Sequence, residues 1–249
     1  MTGAILGMAA ISPARAEETL DRLDELLSRY VVDEGVRYDD WRATGDDTRA
    51  LDAIVDALSS TDPATLAEAD RFALYINLYN AKTVQLVLDG NPAKSIRQLS
   101  WGPVPFQIFF RKQIDFDGET LSLNGLEKRL REESGDPRIH FAVNCASRSC
   151  PPLATEAYRG ARLDEQLDRQ TRAFLAAEGE IVVTERGRSS RVLALSKIFD
   201  WYADDFAPSG GVLEFLRRYA PEHLGGQLEH DAAIRLTYRK YDWDLNRAR

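Results

Sequence analysis

Both cysteines of the chain and one of its three histidines lie in the stretch Arg138 to Leu153, which reads RIHFAVNCASRSCPPL. A thiolate attacks acyl carbons well when a nearby imidazole lowers the thiol pKa and a backbone amide receives the developing oxyanion. On these grounds Cys145 is the candidate nucleophile and His140 is the candidate base. The residue types therefore indicate nucleophilic catalysis by a thiol at this stretch.

The residues before the first cysteine have the alternating pattern of a short buried strand. Ile139, Phe141 and Val143 alternate with His140 and other residues that point the opposite way, and such alternation is typical of a strand. We expect the strand to run into a loop of small residues at Cys145 and to stop at the Pro-Pro pair that follows.

The other two histidines are weaker candidates for the base. His223 and His230 flank a Gly-Gly turn in a polar segment, where solvent exposure is expected. His140 falls on one face of the predicted buried strand and is the best of the three. Extended chain would hold His140 too far from Cys145, so the loop would have to fold back, or Cys150 would act instead.

The same cysteines allow other interpretations. Two cysteines five apart in a secreted protein can form a small disulfide loop, which competes directly with the free-thiol interpretation. Thiol–disulfide chemistry is a weaker alternative, because CxxxxC is not the usual redox spacing. The spacing of Cys145, Cys150 and His140 matches no usual zinc pattern, and the sequence has no Gly-rich phosphate loop or HExxH motif. Neither a metal nor a cofactor is therefore predicted.

Composition and charge bound the class of protein. The chain has 249 residues, of which 44% are hydrophobic and 29% charged, as in an ordinary soluble globular protein. Its formal net charge of −8 argues against a nucleic-acid partner, because a phosphate backbone requires a basic face. We expect a small-molecule or peptide substrate, and the sequence leaves the oligomeric state open. Without repeats or linker-like breaks, residues 17–249 are predicted to form one α+β domain.

The N-terminal residues 1–16 have most features of a secretory signal peptide. A short apolar run from Gly3 to Ile11 precedes Ala14-Arg15-Ala16, which has the small-x-small form of a cleavage site. The run is too short to span a bilayer. No Lys or Arg precedes Arg15, so the usual basic region is missing, and the alternative is an apolar arm. The signal predicts a periplasmic or secreted protein.

Helical periodicity places a first pair of polar candidates. Glu17 to Tyr30 is a predicted amphipathic helix, and Asp70 to Leu88 is apolar nearly all round, as expected of a central buried helix. Asn77 and Asn80 lie three apart on one face of that central helix. Either they tie the helix to a loop through structural hydrogen bonds, or they line a pocket and bind substrate.

Acidic residues supply further candidates. Glu127 lies on a predicted helix that Ser122 caps and that continues through Glu133. Its carboxylate points along the apolar face, so it either pairs with an arginine or belongs to a site. Asp204-Asp205, in contrast, is a charge pair of the kind that normally decorates a solvated helix end.

Five motifs together resemble the domain-of-unknown-function 547 family. In chain order they are FALYINLYNA, SLNGLE, IHFAVNCASRSCPPL, SKIFDWYADDF and YDWDLN, and they cover about Asp70 to Asn246. The family's His-Phe-Ala-x-x-Cys core falls on His140, Phe141, Ala142 and Cys145. The resemblance implies a papain-like or transglutaminase-like α+β fold, with helices packed on a small, mostly antiparallel sheet, and its members are often secreted. Some relatives have serine in place of the second cysteine, which favours Cys145 as the functional thiol.

The resemblance also implies a third group that orients the imidazole. Asp242 in YDWDLN is our choice, with Glu127 and Asn80 as alternatives. Aromatic residues of the motifs are expected in the cleft or in the core; they are Tyr79, Trp201 and Trp243. We therefore expect a cysteine-dependent hydrolase or acyl-transferase acting on peptide or amide bonds, with Asn77, Asn80, Glu127 and Trp243 binding substrate. The alternative is a non-catalytic ligand- or peptide-binding module with a structural Cys145–Cys150 disulfide.

Overall fold

A computed structural model describes residues 13–100, 104, 106–177, 183–186, 190–222, 228 and 233–248. The α-helices within these ranges are α1 (Pro13–Tyr30), α2 (Tyr38–Ala43), α3 (Gly45–Ser59), α4 (Glu68–Gly90), α5 (Gln107–Phe110), α6 (Leu123–Ser134), α7 (Leu163–Ala177), α8 (Ile198–Trp201) and α9 (Val212–Tyr219). Short 3-10 helices span Pro63–Thr65, Ile96–Leu99, Pro137–Phe141, Gly160–Arg162 and Ala203–Ser209. The strands are β1 (Val31–Val32), β2 (Gly35–Val36), β3 (Ile114–Phe116), β4 (Glu119–Leu121), β5 (Val183–Arg186), β6 (Ser190–Leu195) and β7 (Ala233–Tyr238).

The described strands form three small sheets. β1 pairs with β2, and β3 with β4, each as an antiparallel pair. The third sheet has the order β5-β6-β7, in which β5 and β6 are antiparallel and β6 and β7 are parallel. Helices and small sheets of this kind confirm the predicted α+β class.

Helix α4 is the central element of the larger hydrophobic core. Most of its side chains are buried, as its nearly all-round apolar pattern predicts. It packs against α2, α3, α6 and α7. Asn91 follows it in the left-handed conformation, with φ 41°, and its backbone N–H bonds the carbonyl of Val87. The predicted central helix is thus confirmed. It supplies a rigid wall for residues 138–153, which contain both cysteines and are called the cysteine segment below.

The cysteine segment lies where two hydrophobic clusters meet. The first cluster surrounds α4 and includes Ile139 and Ala142. The second contains Cys145 at its edge and is built around five phenylalanines, Phe141, Phe174, Phe199, Phe206 and Phe215. Neighbouring residues of one short segment therefore bury into different clusters, and this fixes the segment from both sides.

The predicted strand before Cys145 is wrong. Residues 137–141 form a 3-10 helix instead, and a loop follows it. Asp136 begins the helix, because its carboxylate accepts a hydrogen bond from the Arg138 N–H and Pro137 occupies the first helical position. Residues 139–144 are all buried, because two clusters lie on opposite sides of the segment, and no partner strand is needed.

The C-terminal segment, residues 239–248, supports the cysteine loop, residues 145–150. This C-terminal segment follows β7. On one side, the Val36 N–H donates to the Asn246 carbonyl at 2.8 Å. On the other side, the Asn246 N–H donates to the Ala146 carbonyl at 3.2 Å, and the Arg148 N–H donates to the Asp244 carbonyl at 2.8 Å. The last residues thus lie between the β1–β2 hairpin and the cysteine loop.

Several predictions fall outside the described residues. These are residues 1–12 of the predicted signal peptide, and His223 and His230. Residues 13–16 form the beginning of α1. None of the helices in the described ranges is long and apolar enough to cross a membrane.

Gly35 tests the support that the C-terminal segment gives. Its φ of 134° suits glycine alone, and a Cβ at this position would lie 2.2 Å from the Asn246 carbonyl oxygen. We expect Gly35→Ala to lower the free energy of unfolding by about 3 kcal/mol or more, because strain and steric overlap add. Gly118→Ala is the matched control: φ there is 75°, but nothing lies within 4 Å of the new Cβ. It should cost only about 1–2 kcal/mol in urea unfolding, and equal losses in the two variants would contradict the packing argument.

Candidate active site

A cleft of about 360 Å³ brings several predicted residues together. Its lining includes both cysteines, His140, Glu127 and Trp243. These side chains come from α6, the 3-10 helix 137–141, the cysteine loop and the C-terminal segment. Both cysteines and His140 therefore line one cleft, and whether the imidazole reaches Cys145 stays a prediction.

The two cysteines form a disulfide. Cys145 and Cys150 are bonded, and their Cα atoms are 6.1 Å apart. The Sγ of Cys145 also lies 3.1 Å from the Ser147 Oγ and 3.3 Å from the Tyr241 hydroxyl. Both cysteines are half-buried. In this state the candidate nucleophile is an oxidised sulfur flanked by two hydroxyl groups.

The imidazole of His140 is held rigidly. Its side chain is only 1% exposed, and its Nε2 lies 2.7 Å from Oδ2 of Asp205. The ring stacks on Tyr202 with centroids 4.0 Å apart. Nδ1 is buried and has no hydrogen-bond partner among the described residues. A carboxylate at Nε2 assigns the proton to that nitrogen, so the lone pair of Nδ1 is left to accept a proton.

Asp205 is itself fixed by an arginine. Two nitrogens of the Arg131 guanidinium contact its two carboxylate oxygens, at 2.6 and 2.9 Å. The hydrogen bond from His140 and the charge of Arg131 hold the pKa of Asp205 well below its usual range, although burial acts in the opposite direction. Asp205 therefore carries its charge beside the imidazole at neutral pH.

Asp242, the predicted orienting residue, does not contact His140. Its side chain is exposed, and its Oδ1 accepts a hydrogen bond from the Asp244 N–H at 2.9 Å. Its backbone carbonyl accepts from the Ser149 N–H at 3.2 Å. Asp242 thus stabilises the support of the cysteine loop, and the structure gives the orienting contact to Asp205.

The sequence pattern did not indicate a site role for Asp205, because Asp204 stands next to it. The Asp204-Asp205 pair has the pattern of a solvated helix end, and Asp204 is indeed exposed. Asp205 is half-buried, since the adjacent Phe206 is completely buried and pulls the chain against the second cluster. The SKIFDWYADDF motif contained the signal, but only the fold shows which of the two carboxylates faces inward.

Glu127 contacts Tyr202, whose ring stacks on the imidazole of His140. The Tyr202 hydroxyl donates to the Glu127 Oε1 at 2.6 Å, and the Tyr202 ring stacks on His140. Burial and the nearby Glu127 carboxylate raise the pKa of Tyr202, so its hydroxyl stays protonated and remains a donor. Glu127 lines the cleft, and its contact within the protein is to Tyr202; that it binds substrate stays a prediction.

Asn77 and Asn80 have structural contacts. The amide of Asn77 bonds both the N–H and the carbonyl of Tyr158, each at 2.8 Å. Asn80 donates to the Ala142 carbonyl at 2.9 Å and accepts from the Asn144 N–H at 2.8 Å. Neither residue lines the cleft. They tie the helix to loops and also line a separate small cavity of about 10 Å³, and that they bind substrate stays a prediction.

A third asparagine, which sequence reasoning missed, shapes the turn to Cys145. The buried Asn144 side chain donates to the Pro151 carbonyl at 2.7 Å and accepts from the Ala146 N–H at 2.8 Å. Ala146 has a left-handed conformation, with φ 59°, which is uncommon for a residue with a Cβ. These bonds fold the chain back after His140 and bring Cys145 to the cleft.

Aromatic side chains form the mouth of the cleft. Trp243 contacts Phe106 and Tyr241, with ring centroids 4.8 and 4.5 Å apart. Trp201 and Phe110 are 45% and 61% exposed, unusually high for large apolar side chains in a cleft. Such a surface favours a ligand with an apolar or aromatic group.

Comparison with known proteins gives one match. Residues 63–175 match the family model described as "Protein of unknown function, DUF547". No curated protein and no solved structure matches the chain. The matched region includes both cysteines, His140 and Glu127, whereas Asp205 and Trp243 lie beyond it.

The pH dependence of stability tests the Asp205 contacts. Because the pKa of Asp205 is lower in the folded than in the unfolded protein, the contacts stabilise the fold fully above the unfolded value of about 3.9 and this contribution is lost as pH falls through the folded-state pKa. Asp205→Asn should lower the free energy of unfolding by about 1–3 kcal/mol at pH 7. The difference from the wild type should shrink below about pH 4.

Asp204→Asn is the matched control for this experiment. Asp204 is exposed and makes no ion pair with other described residues, so its substitution should change stability by less than about 0.5 kcal/mol at either pH. A difference between wild type and Asp205→Asn that stays constant down to pH 3 would contradict the assigned charge contacts.

Proposed function

We propose that this chain, which belongs to the DUF547 family over residues 63–175, is a cysteine-dependent hydrolase or acyl-transferase acting on peptide or amide bonds. One observation carries the proposal: Cys145 and His140 line the same cleft, and Asp205 holds the imidazole with Nδ1 unpartnered. A nucleophile, a base and a group that orients the base are the parts that covalent acyl transfer requires.

The disulfide is the resting state in this proposal. Two thiol equivalents from a reductant convert it to Cys145 and Cys150 thiols, and the reductant leaves as its own disulfide. In the oxidised form no hydrogen bond joins His140 Nδ1 to Cys145. We expect the released Cys145 side chain to rotate about its Cα–Cβ bond towards the imidazole.

The catalytic steps then follow from the geometry of the cleft. Nδ1 of His140 takes the proton of the Cys145 thiol, and the thiolate attacks the acyl carbon. The imidazolium returns the proton to the leaving amine as the carbon–nitrogen bond breaks. Water or an acceptor amine next attacks the thioester, with His140 again as the base. Asp205 stabilises the imidazolium in both steps, because its carboxylate is already charged.

Fold likeness and location belong to the same proposal. We infer a papain-like or transglutaminase-like arrangement, in which a cysteine and a carboxylate- or amide-oriented histidine face one cleft. A periplasmic or secreted location is supported by the disulfide, since disulfides persist in oxidising compartments. There, the supply of thiols would decide how much of the protein is active.

A non-catalytic binding module is the second candidate function. The Cys145–Cys150 disulfide favours it, because the bond fixes the loop beside an aromatic cleft whether or not chemistry follows. In that case the disulfide is a staple, and an apolar or aromatic ligand binds against Trp201 and Trp243.

Acylation by an activated ester separates the two candidates. We expect the Cys150→Ser variant to react with p-nitrophenyl acetate and to give an acetyl adduct on Cys145 in mass spectra, with a burst of p-nitrophenolate. The matched Cys145→Ser variant also lacks the disulfide, so it controls for loss of the cross-link, and it should give no adduct at Cys150. His140→Gln in the Cys150→Ser background should slow acylation about 10²–10⁴-fold.

The contrary result is equally clear. Equal and slow acylation of both single-cysteine variants, unaffected by His140→Gln, would remove the enzyme proposal. If both single-cysteine variants also lost the same thermal stability relative to the wild type and kept its affinity for an aromatic peptide, the binding module would be supported.

A further inference from the structure

A second pocket adjoins the disulfide. It has a volume of about 270 Å³ and shares Cys150 and Tyr241 with the cleft. Cys145 lines the cleft but does not line this pocket. The cationic residues that line it are Arg148, Lys197, Arg239 and Lys240. Cys150 therefore lines a basic pocket as well as an aromatic cleft.

Part of the positive charge of this pocket has no ion-pair partner among the described residues. The whole chain has a formal net charge of −8, so a group of four cations is a local reversal of sign. Lys197 forms an ion pair with Asp200. Arg148 and Lys240 are exposed and form no ion pair within the described ranges. A concave surface of one sign concentrates ligands of the opposite sign.

Hydroxyl groups add hydrogen-bond donors to the same pocket. The Ser149 Oγ accepts from the Asp242 N–H at 2.8 Å, and the Ser196 Oγ accepts from the Ile198 N–H at 3.3 Å. Neither hydroxyl donates a hydrogen bond to another described residue, so each can donate to a ligand. Cations and hydroxyl donors together suit a carboxylate, sulfonate or phosphate group.

We propose that this pocket binds the anionic group of a small thiol, which reduces the disulfide by attack at Cys150. The thiolate sulfur bonds to the Sγ of Cys150, the Cys145–Cys150 bond breaks, and Cys145 leaves as a thiolate that takes up a proton. A second thiol then attacks the mixed disulfide, which frees Cys150 as a thiol and releases the small-molecule disulfide. The two electrons thus come from two thiols.

The positions of the two cysteines favour this direction of attack, because Cys150 lines the basic pocket and Cys145 does not. The Tyr241 hydroxyl lies 3.3 Å from the Sγ of Cys145 and can stabilise it as the leaving thiolate. The Cys145 N–H donates to the Sγ of Cys150 at 2.9 Å, so the direction rests on access rather than on hydrogen bonds. Attack at Cys150 therefore releases Cys145 into the cleft with His140. This consequence for activity rests on the proposed function, whereas the anion preference does not.

Rates of disulfide reduction by thiols of different charge test the inference. We would compare 2-mercaptoethanesulfonate, 2-mercaptoethanol and cysteamine, and follow free cysteines by rapid alkylation and mass spectrometry. Each rate constant is divided by that of the same thiol with an uncharged small disulfide, which removes differences in intrinsic reactivity. The normalised anion-to-cation ratio should be about 10 or more at low salt and should fall as salt rises.

Two double variants with the same change in net charge locate the effect. Arg148→Gln with Lys240→Gln should reduce the ratio to near one, whereas Arg49→Gln with Arg162→Gln, on exposed side chains elsewhere, should leave it within about twofold. The first mixed disulfide should carry the thiol on Cys150, with Cys145 alkylated.

Three results would overturn the inference: a wild-type ratio near one, equal effects of the two double variants, or the adduct on Cys145. Reduction is followed without any acyl substrate. The reduction rates therefore test the anion pocket even if the hydrolase proposal fails. Normal acylation without charge preference would remove only the anion pocket.

Discussion

Asp205 contacts both the guanidinium of Arg131 and the imidazole of His140, and these two contacts join the parts of the candidate site. Arg131 lies on α6, in the wall of the first cluster, and Asp205 and His140 lie on short 3-10 helices beside the second. A carboxylate so placed cannot lose either partner without leaving charge poorly solvated. The arrangement therefore fixes the imidazole in one tautomer and one orientation, which free rotation of a surface histidine would not allow.

Irregular backbone between His140 and Cys145 is the second constraint. A buried loop must satisfy its own N–H and carbonyl groups. Here the side-chain amides of Asn80 and Asn144 do so, and the C-terminal segment adds backbone bonds from the other side. Asparagine is a poor residue for a helix interior, and its presence at Asn80 is explained by this task. The same bonds hold the left-handed Ala146 beside the disulfide.

The elements that depend on local periodicity were predictable from the sequence. α1, α4 and α6 follow apolar spacing, and the Ser122 cap was visible at the beginning of α6. The 3-10 helix at 137–141 was not, because alternation of apolar and other residues does not distinguish a strand from a segment that is buried on both sides, as residues 139–144 are. Asp136-Pro137 repeats the Asp62-Pro63 signal that begins a 3-10 helix, and it was the local clue against a strand.

The partner of His140 could not be predicted in the same way. Asp205 lies 65 residues further along the chain, and its motif offers two adjacent carboxylates and several aromatics. Burial of Phe206 decides which carboxylate turns inward, and that depends on a cluster assembled from distant helices. The pairing of the cysteines was likewise open, because short spacing permits a disulfide without requiring one.

The alkylation rate of Cys145 as a function of pH, measured with iodoacetamide on the Cys150→Ser variant, tests the central claim most directly. We expect a rate that titrates well below the free-thiol pKa of about 8.5, and a midpoint that returns towards 8.5 when His140→Gln is added. A midpoint near 8.5 that His140→Gln leaves unchanged would contradict the claim that the imidazole activates this thiol.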